Sequence, residues 1–278
     1  MGMAKIYLND ILNFTKEEIA NVKVKFNQWN GTTNPMDEYL QDPEIVNTGW
    51  LFWRTQQSYF RPGQIAVCLL KLNGDKWLLT TIKQVTKDLK KYNDVAYEGV
   101  EIEKYKPYFG RVIISYHKKS MQQGRFYEEL HKELVVNQIL PEPYGGKDFP
   151  GYDKVCLSFT ELANIIKLHK KDWVGALENQ KAVYLITDKN NGKLYVGSAT
   201  AENGMLLARW RDYAQTGHGG NKDLRQLVQE LGFDYVKQHF QYSILENFNA
   251  RIDDSVILER ESWWKEVLQS RKFWYNCN

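Results

Sequence analysis

The chain has 278 residues, of which 43% are apolar and 26% charged, placing it among soluble globular proteins of one large or two ordinary domains. No apolar run approaches the roughly 18 residues of a membrane span, and the chain does not open on a basic segment followed by an apolar one, so a cytoplasmic protein with no membrane association is expected. A net charge of +3, with 14 Lys+Arg balanced by 14 Asp+Glu in the last 108 residues, does not by itself announce a nucleic-acid binder, although segregated charges can still build a basic face.

In chain order, Thr15 with Glu18 reads as a capping box opening a helix that carries Ile19, Val22, Val24 and Phe26. The cluster from Asn30 to Pro35 breaks it. From Gly49 the pattern turns to strands: Trp50 to Trp53, Ile65 to Leu70, Trp77 to Ile82, Val95 to Ile102 and Arg111 to Tyr116, punctuated by turns at Arg61-Pro62-Gly63 and Asn73-Gly74. Short strands separated by such turns predict a small antiparallel barrel or sandwich. A helix is expected over Phe126 to Val136, then a Pro/Gly-rich loop through Tyr152, then a helix capped by Ser158 and Glu161. The three cysteines, Cys68, Cys156 and Cys277, are odd in number and far apart, which argues for packing residues rather than disulfides or a zinc site.

The polar connection from Lys167 to Gln180 marks a boundary: a front domain over 1–170, a linker over 171–180 and a second domain over 181–278. The second domain opens on a hairpin with Asn191-Gly192 at its turn, and period-2 alternation puts Tyr184, Tyr195 and Gly197 on one side. A helix from Met205 to Tyr213 sets Arg209 and Tyr213 side by side at i, i+4. Asn221 caps the next helix, Gly232 ends it, and Phe240 to Leu245 is a third strand. In the last helix, Asp254 to Leu268, Ile257, Trp264 and Leu268 form an apolar stripe with Glu261 inside it. A carboxylate on that face needs a metal, an arginine such as Arg209 or Arg211, or a proton taken up at raised pKa.

Taken singly, each residue has an ordinary structural reading: tyrosines packing in a ribbon, an arginine lying over Trp210, a loop histidine at His218. Their order is more specific. Ala-Val-Tyr184, Tyr195-Val-Gly197, Arg209-Trp210 with Tyr213, Glu259-Arg-Glu261 and Tyr275-Asn276 together resemble the GIY-YIG nuclease superfamily, over about residues 181 to 278. Ala182 and Val183 stand where Gly and Ile are usual, and Thr200 to Gly204 reads as a short insertion. The resemblance implies an α+β fold, a small antiparallel sheet flanked by helices, and catalytic roles for Tyr184, Tyr195, Arg209, Tyr213 and Glu261, with Gly197, His218 and Asn276 in support. The wider layout, with Phe149 to Tyr152 and the loop from Gly217 to Asn221, looks like that of bacterial two-domain GIY-YIG proteins.

Phosphodiester hydrolysis needs an activated water, neutralised phosphate charge and a stabilised leaving oxygen. One acid suffices to anchor Mg²⁺ or Mn²⁺ when water and phosphate complete the shell, a role that falls to Glu261. Arg209 would clamp the phosphate. Tyr184, its pKa lowered by a nearby cation or the metal, would orient or deprotonate the water, with Tyr195 or Tyr213 relaying a proton. The barrel-like front domain vaguely resembles the PUA, EVE and SRA group, which implies an aromatic pocket for a modified or flipped base, with Trp50, Trp53 and Trp77 as substrate-binding candidates. The function expected is a restriction or phage-defence nuclease acting on DNA. The alternatives are a repair or mobile-element endonuclease on branched or single-stranded DNA, and a non-catalytic nucleic-acid-binding protein. A palindromic cutter needs two active sites, hence a homodimer or sequential nicking.

Overall fold

The computed structural model describes residues 4–202 and 204–276; Cys277 and Asn203, the latter within the expected insertion, lie outside them. The chain forms two compact units, Met1–Tyr144 and Gly145–Asn278.

In the first unit, α1 (Leu8–Leu12) is followed by α2 (Lys16–Asn21), where the expected capping box closes: Thr15 Oγ1 accepts from the Glu18 amide and Glu18 from the Thr15 amide. The helix then stops short. Val22, Val24 and Phe26 were read as its continuation but form β1 (Val22–Asn27), because Val-Lys-Val-Lys-Phe alternates with period 2 and buries its apolar side in a sheet. After α3 (Pro35–Gln41), a π-helical stretch, Ile45–Trp50, continues through helical Leu51 and Phe52 and so takes most of the expected first strand, leaving only β2 (Trp53–Arg54) extended. Then come β3 (Ile65–Lys71), β4 (Lys76–Asp88), β5 (Asp94–Val95), β6 (Tyr97–Glu101) and β7 (Val112–Ser115), close to where alternation placed them. The helix expected over Phe126 to Val136 is instead β8 (Gly124–Phe126), a 3₁₀ turn and β9 (Val135–Ile139), its two ends captured by pairing with β1 and β7.

The main sheet runs β8-β1-β3-β4-β7-β9 with β6 added on β4, and β1 lies parallel to β3. It does not close, so the unit is β-rich as expected but not a barrel. Its end strands β8 and β9 do not pair with each other. The sheet is packed on both faces: along β3, Val67 and Leu69 enter one cluster with Phe26 and Trp77, while Ala66, Cys68 and Leu70 enter another with Phe52 and Tyr97.

In the second unit, β10 (Cys156–Ser158) leads into α4 (Phe159–Lys167), whose Ser158–Glu161 capping box is present, and α5 (Lys171–Leu177) follows. The expected boundary ran through this stretch, but Leu157, Phe159, Leu162, Ile165, Trp173 and Leu177 share one core with Tyr184 and Trp210. Trp173, preceded by Lys170, Lys171 and Asp172, packs edge-on to Phe149 and donates its Nε1 hydrogen to the Lys147 carbonyl at 2.8 Å. The remaining elements are β11 (Gln180–Asp188), β12 (Leu194–Ala199), α6 (Met205–Thr216), α7 (Lys222–Leu231), α8 (Phe233–His239), β13 (Phe240–Asn249), α9 (Asp254–Val267) and α10 (Ser270–Phe273). The antiparallel sheet has the order β10-β13-β11-β12. Odd residues of β11 join Ile257 of α9 on one face, and even residues join Trp210 and Tyr213 of α6 on the other. Among the described residues no helix is long and apolar enough to cross a membrane.

Candidate active site

The hairpin that carries the first two tyrosines turns earlier and more widely than a two-residue Asn191-Gly192 loop would. Asp188 and Lys193 close a four-residue loop, the Asp188 amide donating to the Lys193 carbonyl at 2.9 Å, and only Gly192 takes positive φ, at 75°. Pairing is therefore Tyr184 opposite Gly197 and Ile186 opposite Tyr195. Because both loop lengths are even, the faces are unchanged, and Tyr184, Tyr195 and Gly197 share one side as the alternation required. Gly197 is needed there: a Cβ would sit 2.5 Å from both Cζ and Oη of Tyr184. The missing side chain lets the Tyr184 ring lie across β12 and point its hydroxyl toward α6.

Helix α6 brings Arg209 and Tyr213 to that hydroxyl. The Tyr184 and Tyr213 hydroxyls are 3.1 Å apart, and Arg209 Nη2 lies at 3.4 Å from each. Arg209 Nη1 donates to the Gly219 carbonyl at 3.1 Å. That contact depends on the glycine loop, since a Cβ on Gly219 would come within 2.7 Å of the Tyr213 ring. Arg211 is exposed, so the α6 arginine that reaches these hydroxyls is Arg209. The Arg209 Nε hydrogen is buried and has no partner among the described residues, so the guanidinium keeps donor capacity in reserve.

The electrostatics follow from this enclosure. Burial pushes the Tyr184 hydroxyl above the ordinary phenol range, Tyr195 adds to the shift, and the Arg209 charge opposes it without prevailing. This reverses the lowering expected for Tyr184: in the protein alone, desolvation outweighs the cation. Tyr213 is raised for the same reason. For Tyr195, burial raises the hydroxyl, Tyr213 opposes through a hydrogen bond, and the Glu261 charge adds to the rise, which places that carboxylate within electrostatic reach of the cluster. Burial also works against the Arg209 charge, but the Tyr184 and Tyr213 hydroxyls outweigh it and hold the guanidinium above its ordinary value.

Glu261 lies on α9 in the stripe of Ile257, Trp264 and Leu268, with its side chain 14% exposed. Its partner is neither Arg209 nor Arg211 but Lys265, at 3.0 Å on the same helix. Lys265 went unread in the sequence although the Glu-to-Lys i, i+4 spacing was its signal. The helix is fastened by Glu246 of β13, which accepts from Arg260 Nε at 3.0 Å and from Trp264 Nε1 at 2.9 Å. His218 stands in the glycine loop, its Nδ1 accepting from the Gly220 amide at 2.9 Å; burial, with Arg225, lowers its pKa. Asn276 is a clamp rather than a reacting group: its side chain exchanges two 2.8 Å hydrogen bonds with the backbone of Val196, the residue between Tyr195 and Gly197. Sequence reasoning also missed Asp188, fully buried and accepting from the Tyr235 and Tyr275 hydroxyls at 3.0 and 2.8 Å.

Of the tryptophans expected to bind substrate, Trp77 is fully buried, packs edge-on to Phe26 and donates to the Tyr116 carbonyl at 3.0 Å. It is a core residue of the first unit. Trp50 and Trp53 instead line an open pocket there.

A tyrosine–arginine cluster thus stands on one face of a small antiparallel sheet, and the helix that carries Glu261 packs on the other. Residues 180–276 match the family model of the GIY-YIG catalytic domain. The C-terminal unit is a GIY-YIG catalytic domain, and the chain is by class an endodeoxyribonuclease. Among solved structures, a variant of the catalytic domain of intron endonuclease I-TevI is 27% identical, with 36% of this chain and 94% of that chain covered and a TM-score of 0.27. The catalytic domain of homing endonuclease I-TevI is also 27% identical, covering 34% and 95%, with a TM-score of 0.26. No curated protein sequence matches the chain.

Proposed function

We propose that the protein is a metal-dependent DNA endonuclease of restriction or phage-defence type, whose N-terminal unit selects the DNA to be cut. The observation that carries the cleavage reading is the convergence of Arg209 on the hydroxyls of Tyr184 and Tyr213. A guanidinium held by two hydroxyls and the Gly219 carbonyl, with the exposed Asp212 carboxylate at 3.7 Å and its Nε donor in reserve, suits the added charge of a transition state at a phosphate.

In this reading Arg209 clamps the scissile phosphate. Tyr184 stays protonated and orients the attacking water by hydrogen bonding, Tyr213 fixes the Tyr184 hydroxyl, and the proton of the attacking water leaves to solvent water as the bond to phosphorus forms. Tyr195 and His218 border the same site. The donor set fits one hard divalent ion: among the described residues no group of three or more His, Cys, Asp or Glu gathers, and Mg²⁺ accepts a single carboxylate when water and phosphate supply the rest. Glu261 would hold Mg²⁺ or Mn²⁺, which when bound supplies positive charge at the leaving side.

The test is to incubate the wild type, Arg209→Ala and Glu261→Ala with plain, modified and single-stranded DNAs plus Mg²⁺, and to map the ends. Each substitution is expected to lower cleavage by roughly 10²–10³-fold or more while DNA binding persists. Full activity in either variant would overturn the arrangement, and equal cutting of plain and modified DNA would remove modification as the basis of selection.

A further inference from the structure

A net charge of +3 conceals a segregation of charge at one edge of the N-terminal sheet. Strand β8 ends that sheet, paired to β1. The Phe26 amide donates to the Gln123 carbonyl at 2.8 Å, and in this antiparallel register Gly124 and Phe126 turn their amides toward the open edge. Beside them lies an open cavity of about 510 Å³ with Lys23 and Arg125 in its wall. Residues opposite each other share a face, so Lys23 stands with Phe126 on one side of the sheet and Arg125 with Val24 on the other.

Cations continue from the cavity on both sides. Lys23 Nζ lies 4.6 Å from the centre of the Phe126 ring and donates to the Tyr59 carbonyl at 2.5 Å, with the charge of the exposed Arg61 acting on it. Past Arg125, Lys118 Nζ is 5.9 Å from the Phe26 ring, that ring is 4.9 Å from the Trp77 ring, and Lys71 Nζ lies 4.3 Å from the latter. Arg61, Lys23, Arg125, Lys118 and Lys71 thus form a row that wraps the sheet edge. Acids do not offset it. Glu129, the one carboxylate in the cavity wall, is engaged by Arg125 at 2.9 and 2.7 Å, while Lys23 and Lys118 donate to backbone carbonyls. Burial and then Arg61 lower the Lys23 pKa, with Glu129 opposing, and burial, Arg125 and Lys71 lower that of Lys118. Like charges held together at half-buried positions cost stability, and a bound polyanion relieves that repulsion.

We propose that this row, with the open amides of β8, binds the phosphate backbone of duplex DNA across the sheet edge. The proposal deepens the reading of the N-terminal unit as the part that engages DNA, and rests on it. The cations are strung out rather than gathered on one point, which fits successive phosphates and not a single small anion. Contacts of this kind fix the register of a duplex and carry no sequence information.

The full-length chain is titrated in EDTA, so that nothing is cut, against two labelled duplexes of unrelated sequence from about 50 to 200 mM salt. Arg61→Gln, Lys23→Gln and Lys118→Gln should each weaken binding to both duplexes alike, by about three- to tenfold at the lowest salt, and lower the salt slope by about one. Lys106→Gln, at an exposed lysine outside the row that pairs with Glu103, should change neither. Glu129→Gln frees Arg125 and should tighten binding by about threefold, a gain that a damaged fold does not imitate. Unchanged affinity and slope in Arg61→Gln and Lys118→Gln, or a loss confined to one sequence, overturns the row and leaves DNA selection by this unit standing. Wild-type protein that binds neither duplex overturns both. A larger loss on an RNA duplex of the same sequence assigns the row to RNA and overturns the DNA occupant.

Discussion

The two units each bury a cation, and they treat it in opposite ways. In the C-terminal unit Arg209 is surrounded by the hydroxyls of Tyr184 and Tyr213, and its charge is held more firmly than in water. In the N-terminal unit Lys25 has one carbonyl and one ring face, and burial pulls its pKa down to about 8. Lys25 is the deeper of the two, 2% exposed against 18% for the Arg209 side chain, and it also has the fewer oxygen partners. The first cation is supplied with oxygens; the second is held by one carbonyl and a ring face alone.

Gly197→Ala should disturb the arginine cage most, because its new Cβ would meet Tyr184 at 2.5 Å across paired strands that cannot separate. A loss of about 2–3 kcal/mol in unfolding free energy is expected from such overpacking, together with loss of cleavage as the Tyr184 hydroxyl leaves Arg209. Denaturant titration and end-mapping check both, and unchanged stability would show that the strands can give way.

Next in size is the unmatched lysine. In the unfolded chain Lys25 has the ordinary value of 10.5, and in the folded protein about 8, so between these values the unfolded state binds more protons. Stability should therefore rise with pH across that window, by about 3 kcal/mol from this group at most. Below pH 8 both states are charged and the cost is constant. Lys25→Met removes the cost but orphans the Trp53 carbonyl, worth about 1 kcal/mol, so a net gain of about 1–2 kcal/mol at pH 7 is expected. Comparison of urea midpoints at pH 7 and 10 tests it: the variant should lose the rise.

The smallest effect belongs to Lys265, whose bond to Glu261 is an i, i+4 pair with side chains only 19% and 14% exposed. Lys265→Ala should lower stability by about 1 kcal/mol or less. It should nevertheless tighten Mn²⁺ binding, since a cation competing for the Glu261 carboxylate is gone. Weaker Mn²⁺ binding in this variant would move the ion away from Glu261.

How much of this could be read from the sequence depended on whether a signal was local. The faces of the C-terminal hairpin were readable because alternation survives any even loop, although the turn itself was placed too tightly. Glu261 was legible as a carboxylate in an apolar stripe, and the stripe of Ile257, Trp264 and Leu268 packs as expected. In the N-terminal unit, local reading failed at Val22 to Phe26, where a true capping box drew the helix too far, and over Phe126 to Val136, where distant pairing decides. Trp50, Trp53 and Trp77 are indistinguishable by type. One is core and two line a pocket only because a sheet covered on both faces sorts them.

The clamp of Asn276 on Val196 spans 80 positions in the chain. During synthesis, β12 emerges long before the residue that closes its outer edge, and until residue 276 is made the strand carrying Tyr195 and Gly197 has an open backbone on that side. The strand that carries two residues of the candidate site is thus completed only once residue 276 has joined the chain, so the final geometry there waits on a contact made 80 positions downstream.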